Sequence, residues 1–361
     1  MIVPLPSQVT TVLGTFIDPF LGQDLLTAKT IQEIAIHDTT IGLKLCFPYP
    51  VGPRIPELKQ ALSMLLARHW PDFHLSLQVT WKIRRHVAQN GLKSKSAIKN
   101  IIAVASGKGG VGKSTVAVNL ALALHGLGAR VGLLDADIYG PSQPKMLGKQ
   151  HEKALTQDKK LLPIHSHGIQ SMSIGYLVEE QSAMIWRGPM VSSALQQMLN
   201  ESAWQECDYL ILDLPPGTGD IQLTMAQKIP ISGAVIVTTP QDIALLDAKK
   251  AYRMFEKVAV PVLGVVENMS WHECANCHHR EAIFGEDGAA AMAEEFKVPL
   301  LAQLPLVKQV REQADSGVPI IIAEPHSDLA KPYWDMASFV AAKLALREVD
   351  YTAPVLQPVL I

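Results

Sequence analysis

Apolar and polar residues change their period near residue 99, and this change predicts two structural units. Before it, stretches of period 2 alternate with stretches of period 3.6, which is typical of a small α+β unit. We predict a first helix after Phe16. Three strands and a second helix should follow it, in the order strand Ile31–Ile36, strand Thr40–Phe47, helix Pro56–His69 and strand His74–Ile83.

After residue 99, continuous apolar runs alternate with helical segments. Such runs are typical of a mainly parallel sheet that helices cover on both faces. A helix is expected from Val116 to Leu127, and an amphipathic helix from Asp328 to Leu346. The predicted strands are Ile101–Ser106, Arg130–Asp135, Ile169–Ile174, Tyr209–Leu214, Gly233–Thr238 and Val262–Glu267.

The segment that joins the two units is basic, with no acidic residue from Lys82 to Lys99. It also lacks interleaved aromatic residues and an amphipathic face, so a solvated linker is favoured over a nucleic-acid or lipid contact. We therefore divide the chain into a small domain, a linker, a large domain and a tail, with the boundaries 1–83, 84–98, 99–350 and 351–361.

A glycine-rich loop between a predicted strand and a predicted helix meets the pattern G-x-x-x-x-G-K-[ST]. Glycines let the backbone turn its N–H groups inward, and the helix N-terminus adds positive potential, so ATP is the expected ligand. Lys113 should contact the β- and γ-phosphates, and Ser114 should hold Mg²⁺. The predicted nucleotide-binding residues of this loop are Gly107, Lys108, Gly109, Gly110, Val111, Gly112, Lys113, Ser114 and Thr115.

This loop defines the fold class more closely. We predict an α/β fold, a mainly parallel P-loop NTPase sheet with helices on both faces, preceded by a small α+β domain.

Two other predicted strands end in aspartates. Asp135 and Asp137 follow one strand, and Asp213 ends another in a Walker B arrangement. Ligands of parallel sheets lie at the carboxyl ends of the strands, so these side chains should face the phosphate loop. Mg²⁺ prefers oxygen ligands and retains several waters, so Asp213 should hold it through water. The run Leu214–Asp220 has two prolines and two glycines and is predicted to be a mobile switch loop.

Cys274 and Cys277 form a C-x-x-C pair beside His278 and His279. Two thiolates fill only half of a four-coordinate sulfur site. Either a second chain adds two more for a [4Fe–4S] cluster, or the histidines complete a zinc site. A two-fold axis through the cluster would supply Cys274 and Cys277 from each of two chains, which favours the cluster. A redox pair is a third alternative, but it lacks the helix N-terminus expected for one.

Composition narrows the classes of partner. The chain has 361 residues, 48% of them hydrophobic, and a formal net charge of -2, so we expect neither nucleic acid nor a membrane as a partner. No apolar run reaches the roughly 20 residues that cross a bilayer, and no signal-peptide pattern opens the chain, so a cytoplasmic location is expected. Cys46 and Cys207 stand alone and should be buried.

Taken together, these motifs resemble the Mrp/ApbC family of iron–sulfur cluster carriers, which are ATPases of the MinD/ParA type with a deviant Walker A loop. The resemblance covers Lys99 to Ala323 and rests on the phosphate loop, Asp213–Asp220, Trp186–Met190 and Glu267–Ser270. It implies an ATP hydrolase that works as a homodimer and carries a [4Fe–4S] cluster. Its expected partners are apo iron–sulfur proteins and cluster assembly proteins.

The same resemblance implies roles for single residues. Lys108 would reach across the dimer to the partner's nucleotide, and Asp137 would orient the attacking water. Asp135 would support the Mg²⁺ side of the site, and Asn268 would read the edge of the nucleotide base. The catalytic residues implied are therefore Lys108, Lys113 and Asp137.

Near the N-terminus, Asp18–Leu25 resembles the opening of the iron–sulfur assembly domain of SufT/PaaD-like proteins. That domain often has a cysteine beside a proline after its second strand. This chain has the proline-rich run Pro48–Pro53 there, with only Cys46 nearby, so no metal ligand is expected in this domain.

The predicted function is an ATP-dependent iron–sulfur carrier or scaffold in which hydrolysis gates loading or release of the cluster. The alternative is a MinD/ParA-like positioning or partition ATPase, which would leave the cysteine pair without a role. The tail Tyr351–Ile361 also lacks the basic residues of a membrane-binding helix. A nitrogenase-type reductase would need its cluster cysteines apart and near the switch loops.

Overall fold

The computed structural model describes residues 3–89, 92, 96–178, 188–274, 276–277 and 279–352. Within these residues a three-stranded sheet lies before residue 84 and a nine-stranded sheet after residue 97. No helix among them is long and apolar enough to span a membrane.

The N-terminal unit packs two described helices with its sheet, and β1 pairs with β2 antiparallel while β2 pairs with β3 in parallel. Burial alternates along β2, which places Ile41, Leu43 and Leu45 in the core. Both predicted bounds of β2 are confirmed. The elements are α1 (Pro6–Leu13), β1 (Ile31–His37), β2 (Thr40–Phe47), α2 (Ile55–Ala67) and β3 (His74–Trp81).

The prediction of a first helix after Phe16 is wrong, since α1 lies before that residue and turns follow it. Two aspartates explain the turns. Asp18 Oδ1 accepts the backbone N–H of Leu21 at 2.7 Å, and Asp24 Oδ1 accepts that of Thr27 at 2.9 Å. Such local side-chain bonds compete with helix formation, so this segment is a turn-forming motif.

In the larger unit, strands alternate with helices. Its elements are β4 (Ile98–Ala105), α3 (Lys113–Gly126), β5 (Val131–Asp135), α4 (Gln143–Met146), β6 (Thr156–Gln157), β7 (Lys160–Leu161), β8 (Ile164–Ser166), β9 (Ile169–Ser173), α5 (Gly188–Glu201), β10 (Cys207–Asp213), α6 (Asp220–Lys228), β11 (Gly233–Thr238), α7 (Asp242–Lys257), β12 (Val262–Glu273), β13 (Arg280–Glu281), α8 (Gly288–Glu295), β14 (Leu300–Leu306), α9 (Lys308–Asp315), α10 (Ile320–Ala323) and α11 (Lys331–Ala345).

The larger sheet has the order β13-β12-β11-β4-β10-β5-β9-β8, with β14 also paired to β12. Its pairs are parallel except at β13 and β8, so the predicted mainly parallel sheet is confirmed. The prediction ended β12 too early, at Glu267. The strand continues to Glu273 because β13 pairs with its last residues.

Each face of this sheet carries its own apolar core. Ile102 and Val104 of β4 point to the core formed with α3 and α11, whereas Ile101 and Ala103 point to the core formed with α5 and α6. Because side chains alternate along a strand, a continuous apolar run fills both cores. The central strands therefore hold their carboxyl ends, and the loops that follow them, at one rigid edge.

The segment after β3 is not a solvated linker throughout. His86 and Gln89 are buried, and the backbone N–H of His86 donates to Asn100 Oδ1 at 3.0 Å. The prediction is wrong for these residues because they lie against the larger unit. Residues 90, 91 and 93–95 lie outside the described residues, and the domain boundaries stay predictions.

The small unit contacts the larger one through α3 and α11. Arg54 forms an ion pair with Asp335 at 2.5 Å, with both side chains about a quarter exposed or less. Trp81 lies so close to Gly128 that a Cβ there would be 2.3 Å from the indole ring. The first helix of the phosphate-loop unit therefore meets the N-terminal unit at its far end.

Candidate nucleotide and cluster site

The loop between β4 and α3 needs its glycines for two different reasons. Gly110 and Gly112 have φ of +82° and +78°, which favours residues without a Cβ. Gly107 lies against α7, where a Cβ would be 2.1 Å from the carbonyl carbon of Asp247. The loop is thus shaped by backbone conformation at one end and by close packing at the other.

Lys113 and Asp213 contact each other where the phosphate loop meets the end of β10. Lys113 is 6% exposed, forms an ion pair with Asp213 and donates to Ser114 Oγ at 3.2 Å. Asp213 is fully buried at the end of β10. The ion pair therefore holds the buried lysine where β10 and the glycine-rich loop meet.

Sequence reasoning missed Gln143, which lies in α4 and links the two motifs. Its Nε2 donates to Asp213 Oδ2 at 2.8 Å and to the carbonyl of Ser114 at 3.0 Å. A glutamine after a Pro-Ser pair carries no motif, so only the folded position of α4 reveals this role.

Two buried polar atoms test whether this site suits Mg²⁺. Gln143 Oε1 and Ser142 Oγ have no hydrogen-bond partner among the described residues. They lie on the same short segment that contacts Ser114 and Asp213. Oxygen atoms are what a hydrated Mg²⁺ prefers, so the residues fit the ion.

Asp135 organises the loop that follows β5. It is fully buried and accepts backbone N–H groups of Asp137, Ser142 and Gln143, each at 3.1 Å, and the hydroxyl of Ser173 at 3.1 Å. Burial and the nearby Asp213 raise the pKa of Asp135, while the N–H groups and Lys113 oppose them. The Ser173 contact was not predicted, because it comes from a neighbouring strand.

Asp137 is half-buried, and its Oδ1 accepts the N–H of Gly140 at 3.3 Å. Burial raises its pKa, and Lys113 opposes the rise. Lys108 is half-buried, and its carbonyl accepts the hydroxyl of Ser106 at 2.9 Å. The roles predicted for Asp137 and Lys108 stay predictions.

Asn268 lies beside the phosphate loop, near the middle of β12. Its Nδ2 donates to the carbonyl of Val111 at 2.8 Å, and a Cβ on Gly112 would approach that nitrogen to 2.2 Å. The proximity to the loop agrees with a nucleotide contact, while its reading of the base stays a prediction. Trp186 and Arg187 of another quoted motif lie outside the described residues.

The cysteine pair lies in the connection between β12 and β13. Cys274 is half-buried and Cys277 is exposed. The N–H groups of Asn276 and Cys277 lower the pKa of the Cys274 thiol, which favours the thiolate that metals bind. The end of β12 and β13 form a hairpin that carries the pair. The guanidinium of Arg280, on β13, lies 4.2 Å from the centre of the Trp271 ring, on β12, and this contact stabilises the hairpin.

The described residues hold no group of three or more His, Cys, Asp and Glu that could bind a metal within one chain. His278, part of the zinc alternative, lies outside them. Of the single cysteines, Cys207 is buried as predicted, whereas Cys46 is only half-buried.

Comparison with known proteins places these features in a family. A family model described as a NUBPL iron-transfer P-loop NTPase matches residues 97–341. The chain belongs to this family. A second model, described as an iron-sulfur cluster assembly protein, matches residues 6–72, so the predicted pairing of an ATPase-type domain with an N-terminal assembly domain is confirmed.

Individual relatives agree with this placement. An iron-sulfur cluster carrier protein of Escherichia coli K12 is 50% identical over 348 residues, covering 94% of this chain and 92% of the relative. A nucleotide-binding protein of Archaeoglobus fulgidus, solved with ADP, is 39% identical with a TM-score of 0.56 and covers 64% of this chain and 91% of that one. The cell division ATPase MinD of Pyrococcus furiosus shares the fold, with 23% identity and a TM-score of 0.50. The match covers 67% of this chain and 98% of that one.

Proposed function

We propose that this protein is an ATP-dependent iron–sulfur cluster carrier. It binds one [4Fe–4S] cluster as cargo between two copies of the chain and passes it to apo iron–sulfur proteins. The observation that carries this proposal is the C-x-x-C pair at the hairpin end, where Cys277 is exposed and backbone N–H groups favour the Cys274 thiolate, in a member of an iron-transfer NTPase family. The name of the Escherichia coli relative, similar along 94% of the chain, supports it.

Two copies follow from the number of ligands. Cys274 and Cys277 supply two thiolates, and a [4Fe–4S] cluster takes four. A two-fold axis at the hairpin ends supplies the other two from the same residues of the second copy. The same axis would bring Lys108 to the partner's nucleotide.

ATP hydrolysis gates the cycle. The loop N–H groups and Lys113 bind the triphosphate, and Lys113 exchanges Asp213 for phosphate oxygens as it does so. Ser114 and, through water, Asp213 would hold Mg²⁺, which offsets phosphate charge when bound. Asp137 accepts a hydrogen bond from the attacking water, while Asp135 holds the backbone of its loop in place.

Anaerobic reconstitution with iron and sulfide tests the proposal. A cluster shared by two chains gives about two irons per monomer, visible absorbance and a dimer by light scattering. Incubation with an apo enzyme that needs a [4Fe–4S] cluster should then restore that enzyme's activity. A colourless protein with about one zinc per monomer would instead support the zinc alternative. A protein that hydrolyses ATP but takes up no iron during reconstitution would favour a positioning ATPase.

Replacing Asp137 by alanine should slow turnover about a hundredfold, because the attacking water loses its acceptor. ATP affinity should stay within a few-fold of the native value, since Asp137 makes no hydrogen bond to Lys113 or Ser114 among the described residues. Phosphate release and equilibrium nucleotide binding measure the two effects. The control is Asp158→Ala, an exposed aspartate in the turn between β6 and β7. Native turnover in Asp137→Ala would remove this residue from the mechanism.

Lys108 can be tested with a purified heterodimer of one Lys108→Ala chain and one Asp137→Ala chain. If Lys108 acts across the interface, one of the two sites keeps both an intact Asp137 and the partner's intact lysine. About half of the native activity should then return, although each homodimer is inactive. If the lysine acts within its own chain, both sites are defective and the heterodimer stays inactive.

A further inference from the structure

The linker reaches the helix that follows the switch loop. Gln89 is 7% exposed, and its Nε2 donates to the carbonyls of Ala226, in α6, and of Ile229, just beyond it, the latter at 2.8 Å. Its Oε1 accepts the backbone N–H of Ile231 at 2.9 Å. Carbonyls at a helix end have no partner within the helix. A linker side chain therefore caps the C-terminal end of α6.

The other end of α6 lies at the nucleotide edge. The helix begins at Asp220, directly after the switch loop, and its Gln222 donates to the carbonyl of Pro216 in that loop. The N–H of Gly217 donates to the carbonyl of Ser106 at 3.0 Å, which ties the switch loop to the start of the phosphate loop. With 9 residues, α6 is about 13 Å long. One short helix thus joins the nucleotide edge to the linker.

Hydrogen bonds also hold the linker residues that precede Gln89 against the larger unit. Asn100 of β4 donates to the carbonyl of Arg84 at 2.9 Å and accepts the N–H of His86. The N–H of Val87 donates to the carbonyl of Glu348 at 3.0 Å. These bonds hold residues 84–87 against β4 and the segment after α11, so a shift of the end of α6 must either strain this segment or break the Gln89 contacts.

We propose that Gln89 is a positioning residue that couples the switch loop, through α6, to the linker that leads to the N-terminal unit. When a γ-phosphate draws the switch loop inward, α6 shifts as a rigid body. The carbonyls at its C-terminal end then move relative to Gln89, and their hydrogen bonds transmit the shift to the linker. Because coupling is reciprocal, Gln89 in turn biases the position of the switch loop. The proposal rests on the ATP cycle proposed above and gives the N-terminal assembly domain a link to it.

The side chain suits this task. Glutamine can donate to two carbonyls and accept an N–H from one planar group, as Gln89 does here. Glutamate keeps the acceptor for Ile231 and loses both donors, and leucine loses all three bonds. Gln89→Leu and Gln89→Glu therefore both release the end of α6.

Hydrogen exchange on the full chain tests the coupling, with Mg²⁺-ADP compared with Mg²⁺ and a non-hydrolysable ATP analogue. In the native protein the amides of α6 and those of His86 and Val87 should respond together to the nucleotide. In Gln89→Leu the response of α6 should persist while that of the linker is lost. The exchange rates of the linker amides should rise about fivefold, as expected when a hydrogen bond of typical strength no longer opposes local opening.

Gln170→Leu is a matched control. Gln170 is also 7% exposed and uses its amide in the same way, donating to the carbonyl of Gln205 at 2.7 Å and accepting its N–H at 2.8 Å. It lies on β9, two strands from the start of the switch loop at the end of β10. A general loss of stability should therefore appear in both variants, whereas loss of the linker response should appear in the Gln89 variants.

Kinetics gives a second readout. Gln89→Leu and Gln89→Glu should lower kcat several-fold with KM for ATP near the native value, because the phosphate loop is untouched. A linker response that survives in both variants, or that is lost equally in Gln170→Leu, overturns the coupling. A native protein whose α6 responds to nucleotide without its linker also overturns it. If α6 of the native protein does not respond at all, the ATP cycle itself fails, and the coupling with it.

Discussion

Replacing Lys113 by methionine should lower the rate of ATP hydrolysis by at least about a hundredfold. The lysine is the buried cation at the point where the phosphate loop meets Asp213, so it is placed to stabilise charge that develops on the transferred phosphoryl group. Methionine keeps the apolar stem and removes the charge. Phosphate release under saturating ATP measures the effect.

Lys99→Met is the matched control for this prediction. Lys99 also pairs with an aspartate of β10, Asp208 at 2.7 Å, but it lies on β4 at the opposite end of the strands from the phosphate loop. Its loss should leave hydrolysis within a few-fold of the native rate. Thermal unfolding of both variants shows whether each is folded, since Asp213 keeps the Gln143 bond when Lys113 is replaced. A Lys113→Met protein that hydrolyses ATP at the native rate would refute the assignment of this loop.

The double variant Cys274→Ser, Cys277→Ser should bind almost no iron after reconstitution, compared with about two irons per monomer in the native protein. Serine hydroxyls are not deprotonated at neutral pH and are poor ligands for iron in a cluster. ATP binding should remain, because the pair lies on the hairpin and not on the phosphate loop. Dimerisation should weaken, since the cluster binds only the assembled state.

Cys46→Ser serves as the control for iron content. Cys46 is half-buried on β2, far along the chain from the hairpin, so its replacement should leave the iron content unchanged. Iron analysis and visible absorbance follow both variants under the same conditions. The carrier proposal does not survive a double variant that reconstitutes with the native iron content.

Wherever chemistry and conformation are local, sequence reasoning predicted this protein well. The phosphate loop could be recognised because left-handed glycines and a helix N-terminus are required within one short stretch, and Gly110 and Gly112 have that conformation. The parallel sheet was predictable because strands buried on both faces need continuous apolar runs. The aspartates followed, since a residue that ends such a strand lies at the ligand edge.

Predictions failed where a bond or a contact that the local pattern does not show decided the structure. The apolar residues after Phe16 suggested a helix, but Asp18 and Asp24 bind nearby N–H groups and hold turns instead. The basic linker suggested a solvated segment, yet its His86 and Gln89 side chains lie buried against the larger unit. Charge content alone does not show which of the intervening residues have partners elsewhere in the fold.

The family and the fold class follow from the sequence by itself, because both depend on residue type and spacing along the chain, and the same spacing predicts the candidate residues for phosphate and for thiolate-ligated metal. The tertiary structure decided which distant residues serve them. Gln143 meets Asp213 and Gln89 meets the end of α6 across separations of 70 and 137 residues. Such contacts depend on how helices and strands are placed in space. A single glutamine belongs to no motif or periodic pattern, so the sequence does not show which distant residue it will bond to.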